Sequence, residues 1–298
     1  MSSIEMLEKT LRSKEIVKVG GAFDAMSAKL VEISGFDAIW AGSFAISATH
    51  ALPDASIMTM TEFLNVSASM AETCKIPIIA DCDTGFGGPS NVRHMIKKYE
   101  NAGIAGISIE DKIFPKQNSL LENGKQELIS EKEFVAKIIA ARESKQNQDF
   151  MIIARTEALI AGMGTNEALK RAYAYEKAGA SAILIHSKKN NPSEIFEFSD
   201  MWKGSIPLVV VPTSYPSVSI DELISHEIKM VIYANQSLRI AHASMSRILK
   251  KINESKKLTD LDEEMSSMEE IFHLQKISNI NEEEKDVEKE LKKLGYIT

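Results

Sequence analysis

Residues Asn101 to Ser119 read NAGIAGISIEDKIFPKQNS, and this stretch holds a helix end, a strand and the loop that follows it. NAG ends a helix on Gly103, a residue free to take the left-handed turn that caps helix C-termini. AGISIE (Ala105 to Glu110) is an apolar run short enough for a buried strand. The loop that follows, EDKIFPKQNS, packs two carboxylates, two lysines, two amides and a hydroxyl around one proline. Turns favour Gly, Asn, Asp and Ser for backbone reasons and have no need of paired lysines. A loop this charged at a strand's carboxyl end is suited to a small anionic ligand and a metal.

The same rhythm runs along the chain. Strands are expected at Ile16 to Gly21, Asp37 to Gly42, Pro77 to Asp81, Ala105 to Glu110, Phe150 to Arg155, Ser181 to His186, Pro207 to Pro212 and Met230 to Asn235. Stretches of helical periodicity separate them, and Gly35, Gly103 and Gly179 mark helix ends. Eight strands, each followed by a helix, predict an α/β protein of the (β/α)8 TIM-barrel type with extra C-terminal helices. Residues 1–251 read as one catalytic barrel and 252–298 as a helical extension packing on the barrel or on a partner subunit. In the extension, MEEIFHLQKI (Met268 to Ile277) carries an apolar stripe at Ile271, Leu274 and Ile277.

In a barrel the carboxyl ends of the strands converge on one face. That gathers Asp81 and Asp83, Glu110 and Asp111, Arg155 and Glu157, His186, Thr213 and Asn235, with Asp54 in the long loop after the second strand. DCDTGFGG (Asp81 to Gly88) places two carboxylates two apart, so a continuing strand would aim both at one cation. With Glu110 they would make an all-oxygen site suited to Mg2+; the other reading of either aspartate is a capping or turn role. Arg155 and His186 could hold a phosphoryl group, Arg155 by its bidentate fork, or could be internal hydrogen-bonding residues, Arg155 paired with Glu157. Lys116, Asn118 and Ser119 read as parts of a lid. Trp40 is either the pocket floor or a core aromatic, Met58, Met60 and Met70 fill core gaps, and Cys82 between two aspartates is a poor nucleophile.

The 298 residues are 44% hydrophobic, enough for one large core, and the net charge of −7 disfavours nucleic acid as a partner. Two cysteines, a mixed-charge N-terminus without a signal peptide's apolar core, and no membrane-length apolar run lead to the expectation of a cytoplasmic protein.

Together GAFDAMSA (Gly21 to Ala28), DCDTGFG, the EDKIFPKQNS loop, ARTEALIAGMG (Ala154 to Gly164), ILIHSKK (Ile183 to Lys189), VVVPTSY (Val209 to Tyr215) and EIFHLQ (Glu270 to Gln275) resemble the phosphoenolpyruvate mutase / isocitrate lyase superfamily. The loop is similar to that of its phosphonate-forming branch, and the likeness runs from about Gly20 to Gln275. The resemblance implies an isomerase that interconverts phosphoenolpyruvate and 3-phosphonopyruvate by Mg2+-dependent phosphoryl transfer. It further implies that Asp81 ligates Mg2+, with Asp83, Glu110 and Asp54 acting through waters. Arg155, His186, Lys116, Asn118 and Ser119 would surround the migrating group, and the turn of Trp40, Gly42, Ser43 and Phe44 would bind the pyruvyl carboxylate through backbone N–H groups. That turn reads Ala41-Gly42-Ser43-Phe44 where the branch shows a Ser-Gly-Leu or Ser-Gly-Phe order. Phosphonopyruvate hydrolase is expected to carry threonine at position 118, and the superfamily's carbon–carbon lyases a cysteine-containing loop that this chain lacks. The alternatives are that hydrolase, a lyase or oxaloacetate decarboxylase on the same scaffold, and a silent anion-binding barrel. The resemblance also implies a homo-oligomer, a dimer or tetramer with exchanged C-terminal helices.

Overall fold

A computed structural model describes residues 1–255 and 257–297. Eight parallel strands close a barrel in sequence order: β1 (Val17–Ala22), β2 (Ala38–Ala41), β3 (Ile78–Asp81), β4 (Gly106–Glu110), β5 (Met151–Thr156), β6 (Ala182–Ile185), β7 (Leu208–Val210) and β8 (Ile228–Tyr233), with β8 pairing back to β1. Each lies within two residues of its expected place. The strands form because their runs are mainly apolar, as a sheet buried on both faces requires. Ile39, Ile79, Ile107, Ile152, Ile183, Val209 and Val231 are all fully buried.

The helices from the N-terminus onward are α1 (Ser3–Ser13), α2 (Ala25–Ile33), α3 (Ser43–Thr49), α4 (Met60–Thr73), α5 (Pro89–Asn101), α6 (Glu131–Arg142), α7 (Gly164–Ala178), α8 (Ser193–Met201), α9 (Ile220–Ser225) and α10 (Gln236–Glu254). Their starts are written in the sequence. Ser2, Thr59, Ser130 and Ser219 each cap a helix and pair with a glutamate three residues on, so two otherwise unbonded donors are satisfied at once. Gly35, Gly103 and Gly179 adopt positive φ of 83°, 80° and 104°, the left-handed stop expected of them.

The chain divides into two compact units, Met1–Arg239 and Ile240–Thr298. The second contains a 3-10 turn, Leu258–Glu264, then α11 (Met268–Leu274) and α12 (Ile277–Lys293). The sequence reading ran one helix through MEEIFHLQKI. The structure breaks it at Lys276, whose φ of 55° ends α11 and re-aims the chain into α12. Among the described residues no helix is long and apolar enough to cross a membrane.

Candidate active site

At the carboxyl ends of the strands lies a cavity of about 190 Å3 lined by Trp40, Gly42, Ser43 and Phe44, by Asp54, Asp81 and Glu110, by Lys116, Asn118 and Ser119, and by Arg155 and His186. Twelve of the thirteen expected site residues thus meet in one place. Gln117, Leu120, Val211, Thr213 and Asn235 complete the wall.

The thirteenth, Asp83, stands just behind. β3 ends at Asp81, and Asp83 turns into left-handed backbone with φ 50°. The continuing strand that would have set Asp81 and Asp83 side by side is therefore absent. Instead Asp81 Oδ1 accepts the backbone N–H of Asp83 at 3.3 Å, a turn role for this aspartate beside its place in the pocket wall. Strain at a non-glycine residue is tolerated where surroundings over-determine it. Here Lys137, reaching from α6, donates to the Thr84 carbonyl at 2.7 Å and pins the loop.

The loop after β4 lies over the cavity. Its two legs pair where Ile113 N–H meets Glu127 O at 3.0 Å and Ile129 N–H meets Asp111 O at 2.9 Å. Between them the tip reaches down. Lys116 Nζ lies 3.0 Å from Asp54 Oδ1, 2.5 Å from Asp83 Oδ1 and 3.1 Å from Ser43 Oγ. Asn118 Nδ2 donates to Asp54 Oδ2 at 2.8 Å. Ser119 Oγ donates to Glu157 Oε2 at 2.6 Å and accepts from Lys112 Nζ at 2.7 Å. Lys116 and Ser119 are each 5% exposed, so this is a closed lid.

Arg155 and His186 form another part of the wall. Arg155 Nε sits 3.2 Å from Glu110 Oε2 and 2.5 Å from Glu157 Oε1, while its Nη2 meets Ser119 Oγ at 3.1 Å and His186 Nδ1 at 2.9 Å. His186 Nδ1 is also 3.0 Å from Glu157 Oε1. Both readings of Arg155 therefore hold: it lines the pocket and it is ion-paired with Glu157.

Burial sets the protonation of these groups. It pushes Glu110 up to about 7, with Arg155 and Lys116 countering only part of the effect. It likewise lifts Asp83 above its ordinary value. Burial also opposes the charge of Asp54, but Lys116 and Asn118 more than offset it and leave that carboxyl lowered. Lys116 pays for desolvation yet stays charged well above the usual lysine range, held by Asp83 and Asp54. Glu157 is held well below the carboxylate range by Arg155 and His186 despite complete burial. Burial and then Arg155 push His186 below the ordinary histidine range, with Glu157 countering part of the effect. Cys82 is buried and raised, chiefly by desolvation and then by Asp81, which fits its dismissal as a nucleophile.

Among the described residues no three acidic, histidine or cysteine side chains stand grouped tightly enough to hold a metal as they are placed. The donor chemistry nevertheless fits a hard divalent cation. Asp54 Oδ1, Asp83 Oδ1 and Glu110 Oε1 are buried oxygens without a hydrogen bond, and the first two face only the Lys116 ammonium.

Sequence reasoning missed three things. Glu157 was placed on the face where the strand ends converge and as a partner for Arg155, but was given no role in the site. Lys112, 2% exposed, was counted in the loop but not singled out. Asp111, expected in the pocket, faces the other way and accepts from Tyr175 Oη at 2.6 Å, Arg171 Nη1 at 3.1 Å and Glu157 N–H at 2.8 Å. Alternation along β4 sends adjacent Glu110 and Asp111 to opposite sides.

A family model described as phosphoenolpyruvate phosphomutase matches residues 7–253. The chain is 43% identical over 269 residues to phosphoenolpyruvate phosphomutase of Tetrahymena pyriformis, covering 90% of each protein. It is similar to a crystal structure of phosphoenolpyruvate phosphomutase from Streptomyces platensis subsp. rosaceus, with TM-score 0.93, 43% identity, and coverage of 96% of this chain and 99% of that one. It is also similar to phosphonopyruvate hydrolase in complex with oxalate and Mg2+, with TM-score 0.89, 39% identity, and coverage of 94% and 97%. The barrel, the closed lid and these likenesses agree: the chain belongs to the phosphoenolpyruvate phosphomutase family of enzymes.

Proposed function

We propose that this enzyme interconverts phosphoenolpyruvate and 3-phosphonopyruvate, breaking a P–O bond and forming a P–C bond within one substrate. The observation that carries this reading is the lid: Lys116, Asn118 and Ser119 reach Asp54, Asp83 and Glu157 beside Arg155 and His186 in a single closed pocket. A phosphoryl group in flight between oxygen and carbon needs charge stabilisation and exclusion of water more than a strong base.

Arg155 would hold the phosphoryl oxygens with the guanidinium fork, with His186 beside it in the same wall. The ion pairs of Arg155 to Glu110 and Glu157 fix the guanidinium before substrate arrives, so little reorganisation is needed in the transition state. The turn around Gly42 to Phe44 would seat the pyruvyl carboxylate. Gly42 has room for no side chain, since a Cβ would come 2.9 Å from Trp40 Cδ1. The Gly42 N–H is engaged by Ala22 O at 3.4 Å. The lid keeps water from the phosphoryl group, because water there gives inorganic phosphate instead. Mg2+ would be held by Asp81, with Asp54, Asp83 and Glu110 around it, and would supply charge stabilisation to the enolate oxygen.

Hydrolysis of phosphonopyruvate is the second reading, and similarity to phosphonopyruvate hydrolase favours it. Asn118, where the hydrolase branch is expected to carry threonine, favours the isomerase. A coupled assay for phosphoenolpyruvate formed from phosphonopyruvate and Mg2+ tests the choice, and formation of phosphate alone would select the hydrolase. Oxalate with Mg2+ should raise the melting temperature by binding only the folded state. No shift would argue against the enolate and metal sites.

We also propose a homo-oligomer. α12 shows an exposed apolar row, Ile277, Ile280, Val287, Leu291 and Leu294, at the spacing of a helix that packs on another surface. Sedimentation of a single monomeric species would oppose this.

A further inference from the structure

Glu157 touches both halves of the site and accepts from each of them. It is fully buried at the end of β5, and each of its oxygens has two partners. Oε1 takes Arg155 Nε at 2.5 Å and lies 3.0 Å from His186 Nδ1. Oε2 takes Ser119 Oγ from the lid at 2.6 Å and lies 3.5 Å from Lys112 Nζ at the lid's base. Its own backbone N–H is fixed by Asp111 at 2.8 Å, which Arg171 and Tyr175 hold from α7.

We propose that Glu157 is a positioning residue that couples lid closure to the orientation of Arg155 and His186, so that the phosphoryl cradle is complete only when Ser119 is seated. This rests on the reading of Arg155 and His186 as phosphoryl-binding groups. The geometry distinguishes what each partner loses without the Glu157 charge. Arg155 retains Glu110 as a second anchor at 3.2 Å. His186 does not: its other contact is the Arg155 guanidinium, a donor only, at the same Nδ1. Glu157 Oε1, 3.0 Å from Nδ1, fixes the ring's rotation and leaves the other nitrogen for the pocket. Ser119 likewise has no other acceptor, since Lys112 and Arg155 both donate to it.

A neutral isostere separates these roles. In Glu157→Gln, Arg155 stays on Glu110, while the one remaining carbonyl oxygen can accept from His186 or from the lid but no longer from both. kcat should fall by about 30-fold or more with KM for phosphonopyruvate changed less than about threefold, the signature of an interaction expressed in the transition state. Hydrogen–deuterium exchange of residues 113–128 in the unliganded protein should speed up in Glu157→Gln and in Ser119→Ala. The double variant should exchange more slowly than the sum of the two single effects, because both changes act on the shared Ser119–Glu157 contact. The exchange measurement does not depend on which reaction the enzyme performs, so a failed reaction assay and a failed coupling are told apart. Unchanged lid exchange, additive effects in the double variant, or equal losses in kcat and folded fraction would overturn the proposal. If Glu157→Gln does not fold, Ser119→Ala must by itself speed lid exchange, and its failure to do so would overturn the proposal equally.

Discussion

Asn118 spends its amide twice within the lid: Nδ2 on Asp54 at 2.8 Å and Oδ1 on the Leu120 N–H at 3.0 Å. Asn118→Ala removes both bonds from a half-buried loop position, so turnover should drop by about 100-fold while the melting temperature holds. Near-normal turnover would take Asn118 out of the mechanism. Arg155→Lys keeps the charge but loses the planar fork that meets Glu110, Glu157 and Ser119 together, and kcat/KM should fall by about 100-fold or more. A steady-state assay on the folded variant checks it. At this scale the sequence was informative about which residue types gather and less so about where each points. Asp81, Glu110, Arg155 and His186 were legible because barrel strand ends must converge, Lys116, Asn118 and Ser119 because their loop is so densely polar, and Gly42, Ser43 and Phe44 only through the family resemblance. Asp83 and Asp111 were misjudged because their directions depend on where a strand stops and on alternation at its last residue, and boundaries are where sequence patterns are weakest. Glu157 was legible in spacing, but its four partners come from the lid and from β6 as well as β5, and no local pattern encodes that meeting.

Elements carry the site by being tied to one another. α7 places Arg171 and Tyr175 on Asp111, and Arg171 also donates to the Ile129 carbonyl at the lid's far leg at 3.1 Å. Lid base, β5 end and α7 therefore share one buried carboxylate. Tyr175→Phe deletes the 2.6 Å bond to that carboxylate and should destabilise the protein by about 1.5–3 kcal/mol in urea unfolding, the range for a buried hydrogen bond to a charged group. A change below about 0.5 kcal/mol would mean that Arg171 alone satisfies Asp111. The β strands and most helix starts were readable because apolar runs and Ser/Thr capping boxes are local signals. The break at Lys276 was not, since a left-handed lysine carries no glycine or proline mark.

For the whole molecule, the barrel buries three tyrosines whose hydroxyls burial holds above their ordinary range: Tyr99, Tyr175 and Tyr215. An acid raised in the folded state keeps its proton there while the unfolded chain releases it. Stability contributed by these groups is therefore intact below about pH 10 and lost as pH rises through that value, at about 1.4 kcal/mol per pH unit for each tyrosine. Tyrosinate absorbance should show these three of the six tyrosines ionising only with unfolding. Smooth titration of all six in the folded protein would contradict the packing described.

The most direct test of the account is a phosphorus NMR time course of the purified protein with phosphonopyruvate and Mg2+. Conversion of the phosphonate signal to that of phosphoenolpyruvate, without accumulation of inorganic phosphate, is the expected result. Phosphate as the sole product would contradict it, showing that the closed lid admits water and that Asn118 does not set the outcome.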